Sequence, residues 1–257
     1  MSKKSSVWLY RHANRLDQED PNWIFSKDGL NYVYDTPLSL SGFETAQRMG
    51  NFIWDNEKDK LIKYDTLDGL KIFSSPFHRC LQTSTTIAET IETHWIKAKN
   101  IENDKDHHIK ICVEFGLAED IPDRSFDFKT LSRNKKRELI ANELNPLVEP
   151  HIIERIDIDY NRTQILGPED RLTCASIEEY HERVSKVYGE LANSGHHTIL
   201  ISGHLDETFV GYRKLGNQNA TKRYQYGVMA NLINNNDNMT VRYPIWEHHK
   251  DYLSSSL

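Results

Sequence analysis

Two histidines, three arginines and two glutamates stand where strand-like apolar runs end. Val7-Trp-Leu-Tyr runs into Arg11-His12-Ala13-Asn14-Arg15, a histidine between two arginines. A neutral imidazole can attack phosphorus, and guanidinium groups grip phosphate oxygens in pairs. Phe73-Ser-Ser-Pro76-Phe-His-Arg79 places a further arginine in the first turn of an expected helix. There the guanidinium and the positive helix end both favour an anion. Val113-Glu114-Phe-Gly-Leu-Ala-Glu119 follows a third apolar run, where either carboxylic acid could protonate a leaving group. Ile199-Leu-Ile-Ser202-Gly203 leads to a second histidine, His204. A nucleophile, a set of cations and an acid together make the equipment for moving a phosphoryl group.

Such groups meet only if the elements beneath them share one sheet edge. Strands are expected at residues 7–10, 70–73, 109–113 and 198–202, with two more near 227–233 and 239–245. Helices are expected between them. Ser41-Gly-Phe-Glu44 reads as a capping box opening one helix, and Ser176-Ile-Glu-Glu179 as another running to about Ala192. A helix over 77–91 begins near Pro76, and one over 206–215 follows the His204 strand. The Asn-rich run 234–238 reads as the turn between the last two strands. Strands alternating with helices predict an α/β fold. The expected form is a three-layer αβα sandwich with a mostly parallel central sheet and helices on both faces. In open parallel sheets ligands bind at the carboxyl edge, where all four segments end.

The whole chain of 257 residues is read as one domain, with insertions about 16–36 and 118–170, the second capping the C-terminal edge of the sheet. Trp23, Phe25, Tyr32 and Tyr34 mark the first insertion as a packed excursion. A net charge of −6 argues against nucleic-acid or anionic-membrane partners, so any anion site must be a local cluster of arginines. The first six residues leave no room for a signal peptide, and no apolar run has membrane-spanning length; the expectation is a cytoplasmic protein. Cys80, Cys112 and Cys174 read as packed thiols, and none has the arginine six positions on that a cysteine-based phosphatase needs. The pairs His107-His108 and His196-His197 fall in polar connections and read as no metal site, and Arg133-Asn-Lys-Lys-Arg137 reads as a solvated helix face.

In this order, the motifs resemble the histidine phosphatase superfamily, the phosphoglycerate mutase-like fold. Its pattern is Arg-His-Gly, Pro-Leu-Ser-x-x-Gly, Ser-Pro-x-x-Arg-x-x-Gln-Thr, an acid after the third strand and a late Ser-His-Gly. Here these read Arg11-His12-Ala13, Pro37-Leu38-Ser39-Leu-Ser-Gly42, Ser75-Pro76-Phe-His-Arg79-Cys-Leu-Gln82-Thr83, Glu119 and Ser202-Gly203-His204. Arg15 and Asp17 resemble the branch holding the T-cell ubiquitin-ligand and ecdysteroid-phosphate phosphatases. The resemblance implies metal-independent phosphomonoester hydrolysis through a phosphohistidine, with no cofactor. His12 would be the nucleophile and Glu119, in preference to Glu114, the acid. Arg11, Arg15 and Arg79, with His204, would hold the phosphoryl oxygens. The implied partner is a phosphorylated small molecule or phosphoprotein, phosphotyrosine among them, and the branch suggests a homodimer.

Two departures keep a second reading open, a non-catalytic member that binds phosphate or phosphoprotein without turnover. Ala13 replaces glycine, at little cost if φ is negative and about 1 kcal/mol or more if positive. Anchored on Ser202, the late motif places its histidine one residue on. Because side chains alternate along a strand, that step would turn the imidazole away unless a turn at Gly203 restored it.

Overall fold

The computed structural model describes residues 4–32, 34–63, 67–101, 108–119, 145, 147–158, 176–216, 226–235 and 238–243. The chain opens with β1 (Lys4–Arg11), α1 (Leu16–Glu19), a 3-10 turn at Pro21–Phe25 and α2 (Lys27–Tyr32). There follow α3 (Leu40–Lys63), β2 (Leu70–Ser74), α4 (His78–Lys99), β3 (Ile111–Val113) and a 3-10 turn at Phe115–Leu117. Then come α5 (Pro150–Ile153), β4 (Ile156–Asp157), α6 (Ile177–Ala192) and β5 (Thr198–Gly203). The last elements are α7 (Leu205–Leu215), β6 (Met229–Asn235) and β7 (Asn238–Tyr243).

The strands form one sheet in the order β4-β3-β2-β5-β1-β6-β7. The first five of these run parallel, and β6 and β7 close that side antiparallel. Apolar side chains point to both faces, as a doubly covered sheet requires. Trp8, Tyr10, Ile72, Ile111 and Leu200 face one way, onto Met49, Ile53 and Trp54 of α3 and Leu81, Ile87, Ile91 and Trp95 of α4. Val7, Leu9, Phe73, Ile199 and Ile201 face the other way, onto Tyr180, Val184 and Tyr188 of α6 and Val210 and Tyr212 of α7. These are the three layers expected. Each fully buried aliphatic or aromatic side chain here contributes roughly 1.5–3 kcal/mol of transfer free energy.

Several boundaries differ from expectation. The helix expected from Ser41 starts at Leu40, because Ser39 is its cap: the Ser39 Oγ accepts from the Gly42 N–H at 3.0 Å. Ser41 donates instead to Glu19. Gly42 is there for close approach, since a Cβ at this position would lie 2.3 Å from the Asn14 carbonyl oxygen. The α4 helix runs two turns past its expected end, to Lys99, and stops where Asn100 turns left-handed. Ser176 caps α6 as expected, accepting from the Glu179 N–H. Of the stretch read as an edge-capping insertion, residues 156–157 add a short strand beside β3. Residues 120–144 and 159–175, with Cys174, His107 and the basic run 133–137, lie outside the described residues. Among the described residues no helix is long and apolar enough to cross a membrane.

Candidate active site

β1 and β5 pair in parallel with Tyr10 beside Ser202 and Arg11 beside Gly203. The ladder continues one step further, with the His12 N–H donating to the Gly203 carbonyl at 3.0 Å. His12 therefore stands opposite His204, and the two rings lie 5.2 Å apart at 68°. The neighbouring strands end at the same level. Ser75 N–H donates to the Ser202 carbonyl at 3.1 Å, and Glu114 N–H to the Ser74 carbonyl at 2.9 Å.

This register corrects the expectation about Gly203-His204. His204 shares parity with Leu200 and Ser202, on the α3/α4 face, as His12 does with Trp8 and Tyr10. The imidazole is not displaced. Counted from the histidine, Gly203 stands at the motif's serine position and Leu205 at its glycine position. No special turn at Gly203 is needed: it is the last residue of β5, and the positive-φ glycines among the described residues are Gly195 and Gly227. The Ala13 departure is equally mild. Its φ is not positive, Asn100 being the described non-glycine residue with that sign, and its methyl is buried beside Leu38 and Ala46.

The His12 ring is fixed by its neighbour. Nδ1–H donates to the Ala13 carbonyl at 2.8 Å, which leaves the lone pair on Nε2. Burial, and after it the cations of Arg79 and Arg11, push the imidazole well below its ordinary value, so it is neutral at physiological pH. His204 is pushed the same way by burial, Arg79 and His12. Its Nδ1 lies 3.0 Å from Arg79 Nη2 and 3.3 Å from Glu119, and its Nε2 lies 3.0 Å from Ser75 Oγ. Nδ1 thus lies between a donor, Arg79, and an acceptor, the Glu119 carboxylate, while Nε2 is in hydrogen-bond contact with Ser75 Oγ.

Arg79 is 1 % exposed. Its guanidinium donates to the Tyr34 carbonyl at 3.1 Å, to Asp35 at 3.4 Å, and to Glu119 and His204. Asp35 also accepts from the His78 N–H at 2.8 Å, capping α4 where Phe77 has no side-chain acceptor. The anion expected at this helix end is thus the chain's own carboxylate. Asn145 donates to Asp35 in turn, at 3.1 Å. The rest of the motif is scaffolding. Gln82 accepts from Leu38 N–H and donates to Glu149, while Thr83 Oγ1 accepts from Ala13 N–H at 3.1 Å and donates to the Arg79 carbonyl.

The two glutamates separate cleanly. Glu114 is 3 % exposed and caps the Phe115–Leu117 turn, accepting from Gly116 N–H. Glu119 has a side chain 38 % exposed and sits between Arg79 and His204. Arg15 is held by Asp17 through two bonds. Arg11 makes no ion pair among the described residues; its guanidinium carbon sits 3.9 Å over the Tyr226 ring. Behind His204, Glu207 accepts from its backbone N–H at 3.1 Å and is pushed up to about 8 by burial and by Glu119.

The structure thus brings Arg11, His12, Arg79, Glu119 and His204 to one end of the sheet, with the charge of Arg15 felt at both histidines. Sequence reading missed Asp35, Glu207 and Tyr226, and gave Ser75 only as part of its motif. Only Asp35, before Thr-Pro, carried a signal, that of a cap without its helix. Of the aromatic residues in 21–34, Tyr34 packs on Phe77, Cys80 and Ala118 beside Arg79, whereas Phe25 is 71 % exposed.

No protein-family model and no curated protein matches the sequence. Solved structures do. The ecdysone phosphate phosphatase of Bombix mori, solved with tungstate, matches over 93 % of this chain and 92 % of its own, with a TM-score of 0.51 at 16 % identity. YhfR of Bacillus stearothermophilus matches over 93 % of this chain and 96 % of its own, with a TM-score of 0.50 at 13 % identity. At these identities the likeness concerns architecture alone: this chain shares the fold of these solved structures, the histidine phosphatase fold.

Proposed function

We propose that this protein is a metal-independent phosphomonoesterase of the histidine phosphatase type. The observation that carries the reading is the neutral His12, its Nδ1–H held by the Ala13 carbonyl and its Nε2 lone pair left among three arginines. In the first step Nε2 attacks phosphorus and the ester P–O bond breaks. Glu119, which lies 3.3 Å from His204 Nδ1, enters this step as the protonated acid and gives its proton to the departing oxygen. In the second step the Glu119 carboxylate takes a proton from water, whose oxygen attacks the phosphohistidine and releases phosphate. Arg11, Arg15, Arg79 and His204 hold the three equatorial oxygens, and each such donor is worth on the order of a hundredfold in rate.

Both departures that kept a non-catalytic reading open leave His12 and His204 in place. The ecdysone phosphate phosphatase of Bombix mori was solved with tungstate, a tetrahedral oxyanion, which is the shape this site would hold. Phosphorylated small molecules and phosphoproteins, phosphotyrosine included, remain the substrate classes to screen.

The test is hydrolysis of p-nitrophenyl phosphate with trapping of the phosphoenzyme. Turnover with an acid-labile, alkali-stable phosphoprotein, absent in His12→Ala, is the expected result. No turnover, or turnover equal in His12→Ala, overturns the reading.

A further inference from the structure

The three arginines at the site are held in two different ways. Arg15 is paired with Asp17. Arg79 is paired with Asp35 and Glu119. Arg11 is 9 % exposed and, among the described residues, has no carboxylate within ion-pair distance; its Nε is buried without a hydrogen-bond partner. What holds it is an aromatic face: Tyr226, whose ring centroid is 3.9 Å from the guanidinium carbon and 5.5 Å from the centre of the His12 ring.

The ring is placed by backbone contacts to the nucleophile strand. The Arg11 N–H donates to the Val228 carbonyl at 3.0 Å, and the Gly227 N–H donates to the His12 carbonyl at 3.1 Å. Gly227 has φ +64, and a Cβ there would lie 2.5 Å from Thr45 Cγ2. The tight left-handed turn is what sets Tyr226 over Arg11. A carboxylate partner orients a guanidinium but cancels its field. A π face orients it through the ring quadrupole and leaves the full charge available.

Building on the phosphatase reading above, we propose that Tyr226 is a positioning residue. It holds Arg11 as the uncompensated cation of the site, the one that a tetrahedral oxyanion meets first.

The experiment measures the dissociation constant of inorganic tungstate for the full chain by calorimetry. Tyr226→Leu is expected to weaken tungstate about tenfold, the scale of a desolvated cation–π contact. Tyr226→Met, unbranched and flat-faced nowhere, should match it if the leucine variant melts early. Tyr226→Phe keeps the ring and should stay within about twofold of the parent. In an Arg11→Met background, Tyr226→Leu should have no further effect, since the contact it removes is already gone. A loss that persists in that background overturns the proposal, as does an unchanged affinity in both Tyr226→Leu and Tyr226→Met. A large loss in Tyr226→Phe also overturns it, by assigning the effect to the hydroxyl. Tungstate binding with no phosphoenzyme would sink the catalytic reading and leave this one standing. No tungstate binding by the parent chain would sink both.

Discussion

His12 and His204 stand side by side at the ends of adjacent parallel strands, with the same parity and both in neutral form, yet their ring nitrogens meet different partners. The Nδ1 of His12 meets a carbonyl, so it must carry the proton and Nε2 keeps the lone pair. The Nδ1 of His204 lies between the Arg79 guanidinium at 3.0 Å and the Glu119 carboxylate at 3.3 Å, so no single partner fixes its proton. The Ala13 carbonyl therefore singles out His12 as the imidazole with a committed lone pair, while His204 stands among Arg79, Glu119 and Ser75. The difference teaches that at this edge the residue type is shared and the role is set by the local acceptor or donor.

The largest effect should come from removing the lone pair. His12→Asn is expected to lower p-nitrophenyl phosphate hydrolysis by at least about a thousandfold, with no phosphoenzyme seen in a rapid-quench experiment. If it retained a tenth of the rate, the two histidines would not differ in role. His204→Asn should cost on the order of a hundredfold in kcat while phosphoenzyme still accumulates, as expected for loss of one donor. Equal loss of phosphoenzyme in both variants would erase the contrast.

Titration sharpens the comparison by way of stability. Both histidines have folded values well below the ordinary one. Below about pH 6.5 the unfolded chain takes up protons that the folded chain refuses, so stability falls as pH drops, by up to about 1.4 kcal/mol per pH unit per histidine. Glu207, pushed up to about 8, acts in the other direction. From about pH 4.3 to about 8 the folded chain keeps a proton the unfolded chain has lost, so its term falls as pH rises. The midpoint of thermal unfolding should therefore decline from pH 6.5 towards 8. In Glu207→Gln that alkaline decline should vanish and the acid-side decline should steepen. An alkaline decline unchanged in the variant would assign it elsewhere.

The smallest effect is expected at Ala13. Its backbone is not left-handed, so Ala13→Gly should leave kcat within about twofold and lower stability by about 0.4–1 kcal/mol through the freer unfolded chain. A gain in rate of tenfold would show that the methyl, small as it is, crowds the nucleophile.

Much of this was legible in the residue pattern. The apolar runs before His12, Glu114 and His204 made the parallel sheet readable, and the Arg79 segment pointed to the edge where the site forms. Misreadings came where one serine could be traded for another. Ser41 looked like the cap of α3 because Glu44 lies three residues on, yet Ser39 caps it, with Pro37 setting the entry. Ser202 looked like the serine of the late motif, whereas pairing with β1 fixes the count from the histidine. Asp35, visible only as a cap without its helix, and Tyr226 were hidden for a different reason. Each acts on a residue 44 or more positions away through a contact that only the folded chain creates.

Thr83 joins two things usually thought of separately. Its hydroxyl accepts from the amide of Ala13 and donates to the carbonyl of Arg79, so the peptide after the nucleophile is pinned to the helix turn carrying the arginine. In mechanical terms the hydroxyl is a strut that ties α4 to the end of β1. A shift of α4 along its groove on α3 would carry cation and nucleophile together and preserve their spacing. The Ala13 amide proton reports on that strut, and its hydrogen exchange should rank among the slowest outside the sheet.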